Sequence, residues 1–98
     1  MILKQYPTEV LKTWRTSRLG CLYMNKYTSL REDPEGSSQL ETIAQILSTR
    51  PLLERKRIVR EIRRNLGSAN YHEDVEQRVL LMGMLNHYIS SVMQPNPN

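Results

Sequence analysis

The residues best suited to chemistry in this chain are basic side chains concentrated between positions 50 and 66. Advancing about 100° per residue along a helix over residues 51–66 places five of them on one third of its circumference. These five are Lys56, Arg57, Arg60, Arg63 and Arg64. Four are arginines, whose planar guanidinium binds a phosphate through two parallel hydrogen bonds. The set covers about 12 Å of helix at 1.5 Å per residue, enough to contact several phosphates of a nucleic acid.

The positive charge is confined to this segment. Between Arg50 and Arg64, seven basic residues stand against Glu54 and Glu61, a local net charge of +5 in a chain whose total is +4. Because the excess belongs to one segment, its electric field points in one direction, which favours a binding face. The two glutamates lie three or four residues from Arg57 or Arg64, a spacing that predicts ion pairs on the helix surface.

Three interpretations of this basic face stay open. It binds RNA or DNA through phosphates, it docks on an acidic protein partner, or it is a solvated surface. A helix-turn-helix over residues 40–66 is disfavoured, because Leu52 and Leu53 occupy the start of its second helix, where polar base-reading residues belong. We expect a nucleic-acid-binding regulatory or accessory protein; the alternative is an adaptor whose C-terminal Leu/Met-rich helix mediates association.

Catalysis and metal binding find little support in the sequence. On one helix His72 and His87 would be about 22 Å apart, too far to share an ion. Cys21 is the only cysteine, which excludes a multi-cysteine zinc site within one chain. The chain has no glycine-rich phosphate loop, no nucleophile motif and no paired inward carboxylates. We therefore expect no enzyme activity, no metal and no cofactor.

The elements that would position the basic face are helices. The composition, 39% hydrophobic and 24% charged with few Gly and Pro, is typical of a soluble helical domain. We predict a single all-α domain, a compact bundle of about four helices. The predicted helices cover residues 8–19 or further, 38–48, 51–66 and 71–93, with an N-terminal arm at 1–6, a loop at 31–37 and a frayed tail at 94–98. A short strand over residues 19–27 is the alternative to a longer first helix.

Several single residues carry more detailed expectations. Gly20 marks the point where the first helix ends or bends, and Cys21 is expected to be buried on its apolar face. Ser38 and Glu41 are spaced as a capping box at the start of the second helix. Gly67 is expected to close the basic helix in the left-handed conformation. The apolar face of the first helix is Val10, Leu11, Trp14, Cys21 and Leu22.

The last helix is apolar on almost every side between residues 79 and 85. Such a helix is either the buried centre of a bundle or the seam of a dimer. We predict that it packs centrally, that the basic helix lies across the outside, and that two copies form a homodimer. The predicted interface residues are Val79, Met82, Leu85 and Ile89. In the basic helix, Arg55 falls on the apolar side and Leu53 on the basic side, which suggests contact with a partner chain there.

The ends of the chain and its longest apolar run bear on location. The N-terminus has no long apolar core of the kind found in a secretory signal. Residues 79–85 are far shorter than the roughly 20 residues of a membrane span. We therefore expect an intracellular protein, in the cytoplasm or nucleus, without a membrane partner.

Overall fold

Helices make up nearly all the regular structure of this chain. A computed structural model describes residues 6–30, 32, 34, 36–68 and 73–94, and only the backbone of residues 36–38. The helices are α1 Thr8–Leu11, α2 Thr16–Thr28, α3 Gly36–Ser48, α4 Leu52–Ser68 and α5 Val75–Tyr88, with a π-helical turn over Ile89–Met93. The all-α prediction is confirmed, and the alternative strand over 19–27 is wrong because that segment lies within α2. The count exceeds four because the predicted first helix is divided.

Two helix pairs share one core. α2 packs against α3, and α4 packs against α5; α2 also contacts α4, and the π-helical turn contacts α3 and α4. Helix α3 buries one apolar face, which consists of Leu40, Ile43, Ala44, Ile46 and Leu47. The other buried apolar side chains of the described residues are Leu11, Leu19, Tyr23, Ile58, Ile62, Leu81, Met84, Tyr88 and Val92. Burial of this set is the main favourable contribution to the fold.

The predicted first helix is interrupted at residues 12–15. Carbonyl groups freed by the interruption accept hydrogen bonds from Arg50, whose Nη1 donates to the Trp14 oxygen at 2.8 Å and whose Nη2 donates to the Lys12 oxygen at 3.0 Å. Nη1 also donates to Thr16 Oγ1 at 3.3 Å. One long side chain therefore ties the start of α2 to the residue pair that precedes α4. The prediction of a single unbroken first helix is therefore wrong. The local sequence pattern does not show the break, because the contact that stabilises it comes from Arg50, which is far away in the sequence.

The segment before α1 is anchored at Tyr6. Its backbone N donates to Gln39 Oε1 at 2.8 Å, and Gln39 Nε2 donates back to the Tyr6 oxygen at 3.2 Å. The Tyr6 ring also meets the Trp14 ring edge-on, with the centroids 4.8 Å apart. The buried amide of Gln39 is thereby satisfied, as a polar group in a core must be. The remainder of the predicted arm, residues 1–5, lies outside the described residues.

The break at residues 12–15 also resets which side of α2 faces the core. Leu19, Tyr23 and Lys26 point inward at positions i, i+4 and i+7. Cys21 lies on the outer side and is exposed. The prediction of a buried Cys21 is wrong, because it continued the apolar phase of residues 10–14 through a helix that ends at Leu11.

Helix α5 packs against the fold with one face and leaves the other face open. Its inward face is Leu81, Met84 and Tyr88, continued by Val92 of the π-helical turn. Its outward face carries Val75, Val79 and Met82, each at least half exposed. The predicted last helix comprises α5 and the π-helical turn and contacts α2, α3 and α4, so its inward face has the central position that the sequence predicts, while its outward face is open. A helix that is apolar on nearly every side has no sequence pattern that shows which side is buried, and packing on α4 and α2 decides it.

Gly20 lies where α2 and α4 approach most closely. A Cβ placed on Gly20 would lie 2.8 Å from both Cγ1 and Cδ1 of Ile58. A Cβ on Gly83 would lie 2.8 Å from the hydroxyl of Tyr27, the far end of a side chain that can rotate away. The first contact is fixed by a buried branched side chain, and the second is adjustable.

We predict that Gly20→Ala lowers the free energy of unfolding by about 1 kcal/mol. The strain of overpacking against Ile58 exceeds the roughly 1 kcal/mol that alanine gains over glycine in a helix. Gly83→Ala, the matched control, should leave the urea midpoint unchanged or raise it. A Gly20→Ala variant more stable than the Gly83→Ala variant would contradict the close packing of α2 on α4.

The remaining predictions of local structure concern the ends of the helices and the end of the chain. Gly67 lies inside α4, which ends at Ser68, and no described glycine has a positive φ, so the left-handed closure is wrong. Helix α3 begins at Gly36, so Ser38 lies within the helix and the prediction that it caps the helix is wrong; its side chain lies outside the described residues. So do residues 69–72, where the last helix is predicted to begin, and residues 95–98 of the predicted tail.

Candidate nucleic-acid interface

Helix α4 presents the basic face and fixes its orientation by burying the opposite side. The backbone N groups of Glu54 and Arg55 donate to the Pro51 oxygen at 3.0 and 3.1 Å, so the proline starts the helix as its position predicts. Ile58 and Ile62 are buried in the core. Val59 and Leu66 are half-buried beside them. Leu52 shares their side of the helical repeat but is 47% exposed in the first turn.

Two of the seven basic residues of the segment serve the fold itself. Arg50 bonds to the break between α1 and α2, as described above. Arg55 Nε donates to the Arg50 oxygen at 2.9 Å, and its Nη1 donates to the Val92 oxygen at 3.0 Å. The Tyr88 hydroxyl donates in turn to the Arg55 oxygen at 2.9 Å. Arg55 therefore binds the π-helical turn of its own chain, where the sequence suggested a partner chain; Leu53 is 72% exposed.

The five residues predicted to form the binding face are all exposed on α4. This basic face consists of Lys56, Arg57, Arg60, Arg63 and Arg64. Arg64 Nη1 lies 3.3 Å from Glu61 Oε2, which confirms one predicted surface ion pair. Within the described residues the other four make no ion pair, so the predicted pairs of Arg57 with Glu54 and Glu61 are wrong. Most of the face thus keeps its positive charge available to a ligand.

The basic face is bordered on one side by a cleft between α2 and α4. Arg57 lines this cleft together with Glu54 and Glu61, and across it lie Arg15 and Cys21 of the α2 end. Both carboxylates of α4 therefore lie on the α2 side of the helix. The negative charge is kept away from the opposite border, which faces α5.

That opposite border is a groove between α4 and the π-helical turn that follows α5, here called the α4–α5 groove. The α4–α5 groove is lined by Lys56, Val59, Arg60, Arg63, Ile89 and Met93, and has a volume of about 400 Å³. Its floor is apolar and its α4 edge carries three cations. Sequence reasoning missed Val59 and Met93 as site residues because each reads as an ordinary core position on its own helix. The groove exists only because α4 and α5 pack side by side.

The four predicted interface residues lie along α5 with different exposures. Val79 and Met82 are 63% and 50% exposed. Leu85 is half-buried against the core, and Ile89 lines the α4–α5 groove. The exposed part of the predicted set therefore belongs to the outward face of α5, next to Val75.

A tyrosine–histidine–glutamate chain is the other polar cluster near the core. The Tyr23 hydroxyl is hydrogen-bonded to His87 Nδ1, and His87 Nε2 lies 3.4 Å from Glu41 Oε1. A carboxylate can only accept, so His87 Nε2 is the donor to Glu41, and the Tyr23 hydroxyl donates to Nδ1 in the tautomer that this contact selects. Burial, and next the neighbouring Tyr27, raises the pKa of Tyr23 well above its ordinary value, which keeps the hydroxyl a donor. The cluster links α2, α3 and α5.

Metal sites and membrane spans each require a characteristic arrangement of residues. Among the described residues no three His, Cys, Asp or Glu side chains are grouped so that they could hold a metal ion. His72 lies outside those residues. No helix in the described part of the chain has the length and apolar character that a membrane span requires.

Comparisons with other proteins bring no family or relative to this site. Neither the known family models, nor the curated proteins, nor the solved structures include a match to this chain.

Proposed function

We propose that this protein is a non-catalytic regulatory or accessory factor that binds RNA or DNA through phosphate contacts on the basic face of α4. The proposal rests on the observation that the basic residues of this segment have two different roles. The guanidinium groups of Arg50 and Arg55 donate hydrogen bonds to backbone carbonyl groups within the fold, whereas the other five side chains are exposed to solvent. A row of outward arginines on a rigid helix is suited to the phosphates of a nucleic-acid backbone.

A salt series tests the phosphate contacts. We expect binding of short RNA and DNA duplexes, measured by filter retention, to weaken steeply as salt rises, because each neutralised phosphate releases counterions. Four or five contacts give a slope of about −4 in log affinity against log salt, or a loss of at least about a hundredfold between about 50 and 200 mM. Binding that ignored salt would contradict the proposal.

The adaptor alternative has its own support in the apolar outward face of α5. Val75, Val79 and Met82 are exposed on α5, which packs against the helix that carries the basic face. An acidic protein partner with an apolar side would fit both. Saturable binding of an acidic helical peptide, with no binding of either nucleic acid, would favour this function over the first. Either activity is proposed for the cytoplasm or nucleus.

The same outward face supports the proposal of a homodimer. Val79 and Met82 would be covered by a second copy, and two-fold symmetry would place two basic faces in one assembly. We expect sedimentation at micromolar concentration to give a dimer, and Val79→Asp with Met82→Asp to give a monomer with unchanged helical content. A wild-type protein that sedimented only as a monomer would reject the dimer.

A further inference from the structure

We propose that the α4–α5 groove holds an unpaired nucleotide. Its base would rest on Val59, Ile89 and Met93, and the phosphates on either side of it would meet Lys56, Arg60 and Arg63. The inference rests on the proposed function and deepens it, since it names an RNA or DNA with a bulged or extruded base as the preferred ligand.

The floor of the groove has the chemistry of a base-binding surface. Val59 and Met93 are half-buried and pack against the core, and Ile89 is half-buried at the start of the π-helical turn. Their positions are therefore fixed, while part of each side chain remains in contact with solvent. The flat faces of a base are apolar and lose their neighbours when the base leaves the stack, and proteins bind such bases between apolar side chains.

The edge of the groove supplies the matching charge. Lys56, Arg60 and Arg63 recur at intervals of four and three residues, so they form one row of about 10 Å along α4. The described residues give none of the three an ion pair. A row of cations directly beside an apolar floor is complementary to a nucleotide, in which a negatively charged phosphate lies beside the apolar faces of the base.

The shape of the groove favours a nucleotide over an acidic protein helix. Its apolar floor consists of three side chains in one cluster, from a single turn of α4 and the π-helical turn. A helix laid in a groove needs apolar anchors at i, i+4 and i+7, spread over more than about 10 Å. A fully paired duplex, for its part, offers the backbone phosphates but no free base face to the floor.

The test compares two RNA duplexes that differ by one unpaired adenosine. We expect the bulged duplex to bind at least about fivefold more tightly than the paired one, because the unpaired base buries apolar surface on the floor of the groove. Replacing the bulged base by 2-aminopurine should give a fluorescence rise on binding, as the base leaves the helical stack. The double variant Val59→Thr with Met93→Gln keeps the shape of the floor and makes it polar, so it should abolish the preference while binding the paired duplex within about twofold of wild type.

Val10→Thr is the matched control, because it adds the same hydroxyl on the exposed side of α1, outside the groove and outside the proposed dimer interface. It should keep both the preference and the fluorescence rise. Equal affinity of the wild type for the two duplexes, or an unchanged preference in the double variant, would overturn the inference and leave phosphate binding standing. Failure of both RNA duplexes and of a DNA duplex to bind would overturn the proposed function as well. Displacement of bound RNA by an acidic helical peptide that the double variant no longer binds would assign the groove to a protein.

Discussion

Changing Arg60, Arg63 and Arg64 together to glutamate should weaken binding of duplex RNA and DNA by on the order of a hundredfold or more at low salt. Each phosphate contact that is lost removes its share of the counterion release, and the new carboxylates repel the backbone. The slope of log affinity against log salt should become shallower, from about −4 to between about −2 and zero. Filter binding across the salt series measures both quantities.

The control for this variant must change the net charge equally at another place. Lys12 and Arg15 are exposed between α1 and α2, and Arg18 is exposed on α2. Their replacement by glutamate alters the net charge by the same amount. This control should retain most of the affinity and most of the salt slope. If both triple variants lost binding to the same extent, the total charge would explain the affinity and the basic face of α4 would not.

The α4 triple variant should also fold as the wild type does. Its side chains are exposed, and the one ion pair that it removes, between Arg64 and Glu61, lies on the surface, where such pairs contribute little. We expect a urea midpoint within the range of ordinary surface substitutions. A large loss of helical content would mean that the arginines support the fold.

Arg55→Met should lower the free energy of unfolding by about 2–3 kcal/mol, and Arg50→Met by a similar amount. Methionine keeps most of the aliphatic stem and removes the guanidinium. In each case backbone carbonyl groups lose a charged donor: the Arg50 and Val92 oxygens for Arg55, and the Lys12 and Trp14 oxygens for Arg50. Urea denaturation of the purified variants measures the change.

Arg57→Met is the matched control on the same helix, because its side chain is exposed and makes no ion pair with the described residues. It should change the stability by less than about 0.5 kcal/mol. It should also weaken nucleic-acid binding, which separates the two roles of arginine in one segment. Equal stability losses for Arg55→Met and Arg57→Met would contradict the internal role of Arg55.

The sequence was sufficient to predict α3 and α4 and the direction of the basic face. Both helices have a clear 3.6-residue repeat, so the side that carries Ile58 and Ile62 had to be buried and the arginines on the adjoining side had to be exposed. The hydrogen-bonding roles of Arg50 and Arg55 were not predictable in this way. Apart from the Arg50 oxygen that Arg55 binds, their partner carbonyl groups lie more than 30 residues away, and only the packed structure brings them within reach.

The sequence also did not identify which face of α5 is buried or that Cys21 is exposed. Between residues 79 and 85 the apolar residues leave no polar side to mark the exterior, so helical periodicity does not identify the buried face. Cys21 was assigned to the wrong side because a four-residue interruption rotates everything after it. The α4–α5 groove combines both problems, since it depends on the phase of two helices and on their relative placement.

Titration of the isotopically labelled protein with duplex RNA, followed by NMR of the backbone amide and arginine side-chain Nε groups, locates the binding surface residue by residue. We predict saturable shifts concentrated on Lys56, Arg57, Arg60, Arg63 and Arg64, with the Arg50 and Arg55 side-chain signals nearly unmoved. Saturable shifts on α2 and α3 that left the five α4 residues unchanged would contradict the assignment of the basic face as the nucleic-acid interface.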